Sequence, residues 1–315
     1  MLHILVIYNI FPEPNVLDMH STDSTDSTDS TDSTDSIDST DSTDPLPFET
    51  LYLYGGGFGY PFYMGGIAAL NEKYKNRLKG VRLIGTSISS VILILHANGV
   101  DTGIGGEGMD IFDKEFKQPM SQMKNPMSAI SRLESTMKYK MFVENILSRF
   151  PETWTRLNNQ QIQFGISICD PDEFVLTVPF TSNNDVFEAV MCSSNILGLF
   201  DYDTLYDMRD GLGLRRAFDG GNFFDYSKLP PNTKTLTING NLSYHTVSGE
   251  IPSFILSHPL NHSKTIRLHA RGYRLFAEYL ETHQPNKKIL PFIDETLMFP
   301  KWLVKMMGPM LDLIL

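Results

Sequence analysis

The segment at residues 81–95 constrains the fold more than any other part of this sequence. Its apolar start is typical of a short buried strand, and the apolar residues that follow Ser89 favour a helix. Gly85 begins a tight turn between them, and Ser87 lies at the apex of that turn. This is the strand–turn–helix setting in which Gly-x-Ser forms a nucleophile elbow. A loop with a helix cap at Ser87 or Ser89 is the simpler interpretation of the same residues.

A second strand, turn and helix come before this segment. Residues 50–54 alternate as in a strand and lead into Gly55, Gly56 and Gly57, and residues 62–78 have the apolar spacing of a helix. The order strand–helix–strand–helix predicts a parallel sheet with right-handed crossovers. Both turns are therefore expected at the carboxyl edge of the sheet, where open α/β sheets carry their sites.

The glycine turn has two functional interpretations. It can cradle a phosphate at a helix N-terminus, or its N–H groups can form an oxyanion hole. A dinucleotide fingerprint would need glycine where Tyr60 stands, and a Walker loop would need a Gly-Lys-Ser/Thr sequence that is absent. Because a candidate nucleophile ends the neighbouring strand, the oxyanion hole is favoured.

An acidic repeat accounts for most of the net charge. The chain of 315 residues has a formal charge of −11, and the Ser-Thr-Asp triplets at residues 21–44 contain eight aspartates and no Lys or Arg. The remainder is close to neutral, which argues against nucleic-acid binding. Cys169 and Cys192 do not make a disulfide framework and indicate a reducing compartment. Since no long uncharged apolar run is present, we expect a cytoplasmic protein that is either free or peripheral to membranes.

The chain divides into four predicted segments. Residues 1–20 form an apolar tail without an assigned role, and residues 21–47 form a disordered linker because their charges repel and they bury almost nothing. Residues 48–231 are expected to form the folded core. Residues 232–315 are expected to be the C-terminal part of the same domain, ending in an apolar segment.

That apolar segment, residues 299–315, is rich in Met, Leu, Ile and Trp and is interrupted by Pro and Gly. A helix packed on the core is the simpler interpretation, and an interfacial patch anchored by Lys301, Trp302 and Lys305 is the alternative. Residues 101–120 are Gly-rich and weakly patterned. The remaining apolar spacing predicts helices at 127–150, 186–197 and 266–279 and strands at 162–168, 174–178 and 235–238.

A nucleophilic serine needs a base, and the sequence offers two kinds. Asp219 precedes two glycines that allow a tight turn close to another loop, although Asp-Gly is also a common plain turn. The histidines at 245–269 would complete the Ser…Asp…His order of an α/β-hydrolase. His96, inside the helix that follows Ser87, is interpreted as structural.

Four motifs together are more specific than any one of them. In chain order they are Gly55-Gly56-Gly57, Gly85-Thr86-Ser87, the segment 189–196 (AVMCSSNI) and Asp219-Gly220-Gly221. Over residues 51–231 this arrangement resembles the patatin-like phospholipases, which are also called lipid acyl hydrolases.

The resemblance implies a three-layer α/β fold with a mostly parallel central sheet flanked by helices. It also implies a Ser–Asp dyad without histidine, in which Ser87 is the nucleophile and Asp219 the general base. Gly55, Gly56 and Gly57 would form the oxyanion hole, together with the N–H that follows Ser87. The substrate would be a phospholipid or acylglycerol at a membrane surface, and no cofactor or metal is implied.

Two places depart from the family pattern. Gly59 and Tyr60 stand where the family has Arg or Lys followed by Gly, and Ile88 and Ser89 are larger than the usual small residues. A backbone oxyanion hole survives these changes, but the loss of one donor typically lowers turnover by about 10²–10³. A catalytically weak or inactive relative that binds lipid or protein is therefore the alternative function.

Overall fold

Strand and helix alternate at the start of the described chain, over residues 50–97, as the apolar spacing predicts. The computed structural model describes residues 46–74, 78, 80–122, 129–169, 172–196, 200, 204–207, 209, 213–221, 224–237, 246–249 and 259–285. The predicted tail at 1–20, the acidic repeat at 21–44 and the apolar segment at 299–315 lie outside the described residues.

In the described part of the chain, eight strands form one sheet in the order β5-β6-β3-β2-β1-β7-β8, with β4 paired to β3. The strands are β1 (Thr50–Leu53), β2 (Arg82–Gly85), β3 (Ile162–Ile168), β4 (Glu173–Leu176), β5 (Leu205–Asp207), β6 (Leu214–Asp219), β7 (Lys234–Thr237) and β8 (Val247–Ser248). Pairing is parallel from β3 through β2, β1 and β7 to β8, and antiparallel where β4, β5 and β6 join. The predicted α/β class is confirmed.

The helices flank this sheet. They are α1 (Tyr60–Tyr74), α2 (Ile88–Ala97), α3 (Glu107–Ile111), α4 (Gln118–Ser121), α5 (Ala129–Arg149), α6 (Thr153–Asn159), α7 (Asn183–Ser193) and α8 (His262–Thr282). Among the described residues, no helix combines the length and the apolar composition that a membrane span requires.

Alternating side chains of the central strands divide between two apolar clusters. Leu51 and Leu83 belong to the larger cluster, which contains most of the buried helix side chains. Tyr52 and Ile84 belong to the smaller cluster, with Phe174 of β4 and side chains of the segment 224–229. Both faces of β1 and β2 are therefore buried, as expected of central parallel strands.

Helices α1 and α8 pack so closely that two glycines are needed. A Cβ at Gly65 would lie 2.1 Å from the carbonyl oxygen of His269, and a Cβ at Gly272 would lie 1.9 Å from that of Phe62. Because α1 begins directly after the glycine turn, this packing also fixes the position of that turn.

The sequence pattern predicted no regular element at 101–120, and there the structure differs. A π-helical turn at Phe112–Lys117 joins α3 to α4. Phe112 and Phe116 are buried and stack on Tyr60 and Phe142 respectively. The wider π turn shifts the apolar positions away from a 3.6-residue repeat, which hides the helix from a periodicity argument.

Candidate active site

Ser87 occupies a strained backbone position between β2 and α2. Its φ is 58° and its ψ is −133°, a backbone conformation that residues other than glycine rarely adopt. It stands at the N-cap of α2, but its hydroxyl makes no capping hydrogen bond. Ser87 therefore occupies the cap position without making a capping bond, and its hydroxyl is left available for another role.

The elbow is held by the end of α7. The Ser87 N–H donates to the Ser193 carbonyl oxygen at 3.1 Å and to the Ser193 hydroxyl at 3.0 Å. The Ser193 hydroxyl donates in turn to the carbonyl oxygen of Gly165 at 2.7 Å. Ser193 therefore ties the elbow to β3, a role that the sequence did not reveal.

Thr86, the residue before Ser87, is also fixed by a side-chain hydrogen bond. The hydroxyls of Tyr52 and Thr86 share a buried hydrogen bond of 2.7 Å. Since Tyr52 lies on β1 and Thr86 directly follows β2, this bond joins the two strands that precede the predicted site loops.

Gly55 packs against Ser87. A Cβ at Gly55 would lie 2.5 Å from the Ser87 Cβ and 3.3 Å from its Oγ. Gly57 has a φ of 49°, where glycine is favoured, and begins a short 3₁₀ turn that leads into α1. No described residue accepts a hydrogen bond from the N–H of Gly56 or Gly57. The structure thus brings a glycine loop with open donors beside Ser87.

Asp219 ends β6 and begins a turn that packs on β3. Its N–H donates to the Asn195 carbonyl oxygen at 2.9 Å, and its Oδ1 accepts from the Gly221 N–H at 2.9 Å. A Cβ at Gly220 would lie 2.4 Å from the Gly165 carbonyl oxygen, so glycine is needed there. The Gly220 N–H donates to the carbonyl oxygen of Ser193 at 3.3 Å. The same serine therefore positions the Ser87 elbow and the Asp219 turn.

The carboxyl group of Asp219 is buried, and burial shifts its pKa. Burial raises its pKa to about 6, and the Ser87 hydroxyl and the Gly221 N–H offset part of that rise. Within the described residues, Oδ2 has no partner of regular hydrogen-bond geometry. The Ser87 hydroxyl is thus near enough to lower the pKa of this carboxyl group, although Oδ2 makes no hydrogen bond of regular geometry within the described residues.

The two buried histidines of the described chain, His96 and His269, lie away from Ser87 and Asp219. His96 is in the last turn of α2, and Ser87 precedes the first turn of this ten-residue helix, which is about 15 Å long at the usual rise per residue. His96 and His269 line a cavity of about 1110 Å³ with Asp101, and neither Ser87 nor Asp219 lines it. The hypothesis of a histidine base thus finds no support from these two; His245 and His258 lie outside the described residues.

Burial suppresses the charge of both histidines. It lowers the pKa of His96 to about 4. It also lowers the pKa of His269, where a hydrogen bond to the Thr102 carbonyl oxygen at 2.7 Å and the charge of Asp101 act in the opposite direction. The interpretation of His96 as structural agrees with this environment. In the described part of the chain, no group of three His, Cys, Asp or Glu side chains is placed to hold a metal ion.

Comparisons with known proteins give only distant likenesses. No family model matches the chain, and no curated protein matches it. The structure is similar to that of VipD from Legionella pneumophila, with a TM-score of 0.42, 12% identity, and coverage of 75% of this chain and 67% of VipD. It is also similar to the type III effector protein ExoU, with a TM-score of 0.37, 16% identity, and coverage of 75% and 53%.

A third likeness is to the ExoU–SpcU complex from the type III secretion system of Pseudomonas aeruginosa, with a TM-score of 0.39, 16% identity, and coverage of 75% and 52%. The chain therefore spans about half the length of ExoU, as the 53% and 52% coverage shows. Similarities of this size do not establish a family for the chain.

Proposed function

We propose that this chain is a serine hydrolase that cleaves ester bonds of phospholipids or acylglycerols through Ser87 and Asp219. One observation carries the proposal: a hydroxyl on a strained elbow interacts with a buried carboxyl group whose pKa is raised to about 6. A base with a pKa near the working pH is the most effective proton acceptor. A purely structural turn would need neither the strain nor the buried charge.

The chemistry follows from the placement of these two groups. Ser87 Oγ attacks the ester carbonyl carbon while its proton passes to Asp219, and a tetrahedral oxyanion forms. Collapse of that intermediate breaks the ester bond, and the departing alkoxide takes the proton from Asp219. Water, deprotonated by the same carboxylate, then attacks the acyl-Ser87 ester and releases the fatty acid.

The oxyanion needs donors that are already in place. Gly55, Gly56 and Gly57 are proposed for this role. Gly55 lets the loop approach Ser87, and no described residue accepts a backbone hydrogen bond from the N–H of any of the three. Backbone donors that are fixed before the reaction do not have to reorganise as charge develops.

The assignment of a lipid substrate rests on the four-motif resemblance and on the contacts that bring these motifs together in space. The motif between Ala189 and Ile196 supplies Ser193, which holds both the elbow and the Asp219 turn. We further propose that the protein acts in a reducing compartment at the surface of a membrane. In the described part of the chain, Cys169 and Cys192 take part in no disulfide, in keeping with that compartment.

A catalytically weak lipid-binding or protein-binding relative is the second candidate. It is favoured by the Gly57–Gly59 turn, which carries no cation and runs directly into α1 at Tyr60. It is also favoured by Ser89, which is buried and whose hydroxyl has no partner within the described residues. The first feature lacks the positive charge of the family pattern, and the second places a larger residue where that pattern has a small one.

Fatty-acid release separates the two candidates. Purified full chain is incubated with phospholipid vesicles and with acylglycerol emulsions, and free fatty acid is measured by mass spectrometry. We expect release by the wild type, none above background by Ser87→Ala, and unchanged release by Ser148→Ala, which alters an exposed serine of α5. Equal release by wild type and Ser87→Ala would overturn the proposal.

A further inference from the structure

The glycine loop, residues 55–57, combines bonded carbonyl groups with open N–H groups. The 3₁₀ turn that follows supplies two of the bonds. The Gly59 N–H donates to the Gly56 carbonyl oxygen at 2.7 Å, and the Tyr60 N–H donates to the carbonyl oxygen of Gly57. No described residue accepts a backbone hydrogen bond from the three N–H groups of the loop. These two carbonyl groups are therefore satisfied within the turn, while the N–H groups are left for another partner.

A side chain supplies the bond to the first carbonyl group of the loop. The Tyr63 hydroxyl donates to the Gly55 carbonyl oxygen at 3.3 Å. Because a trans peptide is planar, its C=O and N–H point in opposite directions, and a bond that orients one of them also orients the other. The Tyr63 hydroxyl therefore influences the direction of the Gly56 N–H, which belongs to the same peptide unit.

Tyr63 is held firmly in the first turns of α1. Its side chain is buried, and its ring packs edge-on against Phe62 with 5.7 Å between the ring centroids. The backbone around it is in close contact with α8. A Cβ at Gly272 would lie 1.9 Å from the Phe62 carbonyl oxygen. A Cβ at Gly65 would lie 2.1 Å from the carbonyl oxygen of His269. The hydroxyl is thus carried by a helical segment that has little room to move.

The peptide that Tyr63 orients lies next to Ser87. A Cβ at Gly55 would lie 2.5 Å from the Ser87 Cβ, so Gly55 contacts both the Tyr63 hydroxyl and the Ser87 side chain. A rotation of the peptide between Gly55 and Gly56 would move the Gly56 N–H relative to Ser87 Oγ. The Tyr63 hydroxyl would act through this peptide and not on the substrate itself.

We propose that Tyr63 is a positioning residue for the oxyanion hole, whose hydroxyl holds the first peptide of the glycine loop so that the Gly56 N–H is offered to the oxyanion. The inference rests on the proposed function, because an oxyanion forms only if Ser87 attacks an ester carbonyl. The separation of 3.3 Å is longer than usual for a hydroxyl donor. Loss of one such bond should therefore lower turnover moderately, by about five- to tenfold.

Tyr63→Phe tests this role because it removes the hydroxyl and keeps the ring. Tyr74→Phe is the matched control, since it removes a buried hydroxyl from the last residue of the same helix. Steady-state kinetics on a soluble short-chain ester is measured for both full-length variants, and circular dichroism checks their folding. Tyr63→Phe should lower kcat by about five- to tenfold and change KM by less than about twofold, because the oxyanion exists only near the transition state. Tyr74→Phe should match the wild type.

The pH–rate profile separates a misplaced loop from a disturbed base. Burial raises the pKa of Asp219 to about 6, and the contacts that oppose this rise come from the Ser87 hydroxyl and the Gly221 N–H. Tyr63→Phe should therefore keep the wild-type midpoint while the plateau falls. A midpoint that moves by about one pH unit or more would mean that the hydroxyl acts on the base, which would overturn the positioning role.

An alkyl trifluoromethyl ketone measures binding of the oxyanion directly. Ser87 Oγ forms a bond to the ketone carbon, the carbonyl π pair becomes a lone pair on oxygen, and Asp219 takes the serine proton. The adduct thus places an oxyanion in the loop. Its inhibition constant should rise by about five- to tenfold in Tyr63→Phe. The corresponding alcohol, which has the same chain and forms no adduct, should bind equally well to both proteins.

The outcomes distinguish this inference from the function on which it rests. If the wild type hydrolyses the ester, Ser87→Ala does not, and Tyr63→Phe equals the wild type, the proposed function stands and the positioning role fails. If hydrolysis by the wild type does not depend on Ser87, both fail. Equal losses in Tyr63→Phe and Tyr74→Phe, or equal weakening of ketone and alcohol binding, would show a general structural effect and overturn the positioning role alone.

Discussion

A titratable side chain lies near each end of helix α2, and burial shifts the pKa values of the two side chains in opposite directions. Before its first turn, burial raises the pKa of Asp219, the carboxyl group that faces Ser87, to about 6. In its last turn, burial lowers the pKa of His96 to about 4. Desolvation disfavours the charged form in both cases. A carboxylate becomes a better base in this way, while a histidine becomes neutral and loses its affinity for a proton.

The comparison explains why the same sheet has one candidate catalytic edge. At the carboxyl edge, a strained serine, a glycine loop and a buried carboxyl group converge. At the other end of α2, His96 and His269 line a large cavity, but neither lies beside the elbow. Four predictions test this contrast, from the largest expected effect to the smallest.

Asp219→Asn should remove the base at the carboxyl edge. An amide cannot accept the Ser87 proton, so we expect the turnover of a soluble ester to fall by about 10³–10⁴. The Gly221 N–H can still donate to the side-chain oxygen, which keeps the turn in place. Steady-state kinetics on folded protein checks this, and a loss smaller than tenfold would show that Asp219 is not the base.

Gly55→Ala should close the space beside the nucleophile. The new Cβ would lie 2.5 Å from the Ser87 Cβ and 2.9 Å from the Thr86 carbonyl oxygen, so the loop has to shift. We expect turnover to fall by about 100-fold, as when one oxyanion donor is lost. Gly103→Ala is the matched control at the other edge, where the Cβ would meet only the exposed Asp101 side chain. Equal effects of the two changes would contradict the assignment.

Activity should depend on pH through the Asp219 carboxyl group. The base works only when it is deprotonated, and its pKa is raised to about 6. Turnover should therefore rise as pH passes upward through about 6, and it should be about tenfold lower at pH 5 than on the plateau. A pH–rate profile on a soluble ester measures this. A midpoint near 4, the ordinary range for a carboxyl group, would show that burial does not tune the base.

Histidine substitutions should have the smallest effect. His96→Gln and His269→Gln, made separately, should change turnover by less than about threefold, because neither ring contacts the reacting atoms. Glutamine at 269 can still donate to the Thr102 carbonyl oxygen, which limits the structural damage. The same kinetic assay decides the point. A loss of 100-fold or more in a folded variant would favour a histidine-dependent hydrolase.

Local sequence signals predicted much of the fold and part of the site. The strands β1 and β2, the helices after them and the parallel order follow from apolar spacing and from glycine turns, which are short-range features. The proximity of Gly55 to Ser87 follows from the parallel pairing of their strands, because Leu53 and Gly85 are partners in the sheet. Those parts could be predicted because topology alone brings them together.

Other contacts depend on long-range packing and could not be predicted this way. Ser193 meets Ser87 across the end of α7, and nothing in the local sequence distinguishes it from Ser194. Apolar spacing predicts the helix at α5 but not which side of it is buried, since Leu133 and Met137 are exposed. The pairing of Asp219 with Ser87 came from the resemblance, because Asp-Gly alone predicts only a turn.

Labelling with a fluorophosphonate probe tests the central claim most directly. The probe forms a covalent bond only with an activated serine, so it reports the nucleophile without any assumption about the substrate. We expect the purified wild type to be labelled at Ser87, as located by peptide mass spectrometry. Ser87→Ala and Asp219→Asn should both abolish labelling, and His96→Gln should not. A folded wild type that is not labelled, or labelling of Asp219→Asn at the wild-type rate, would contradict the account.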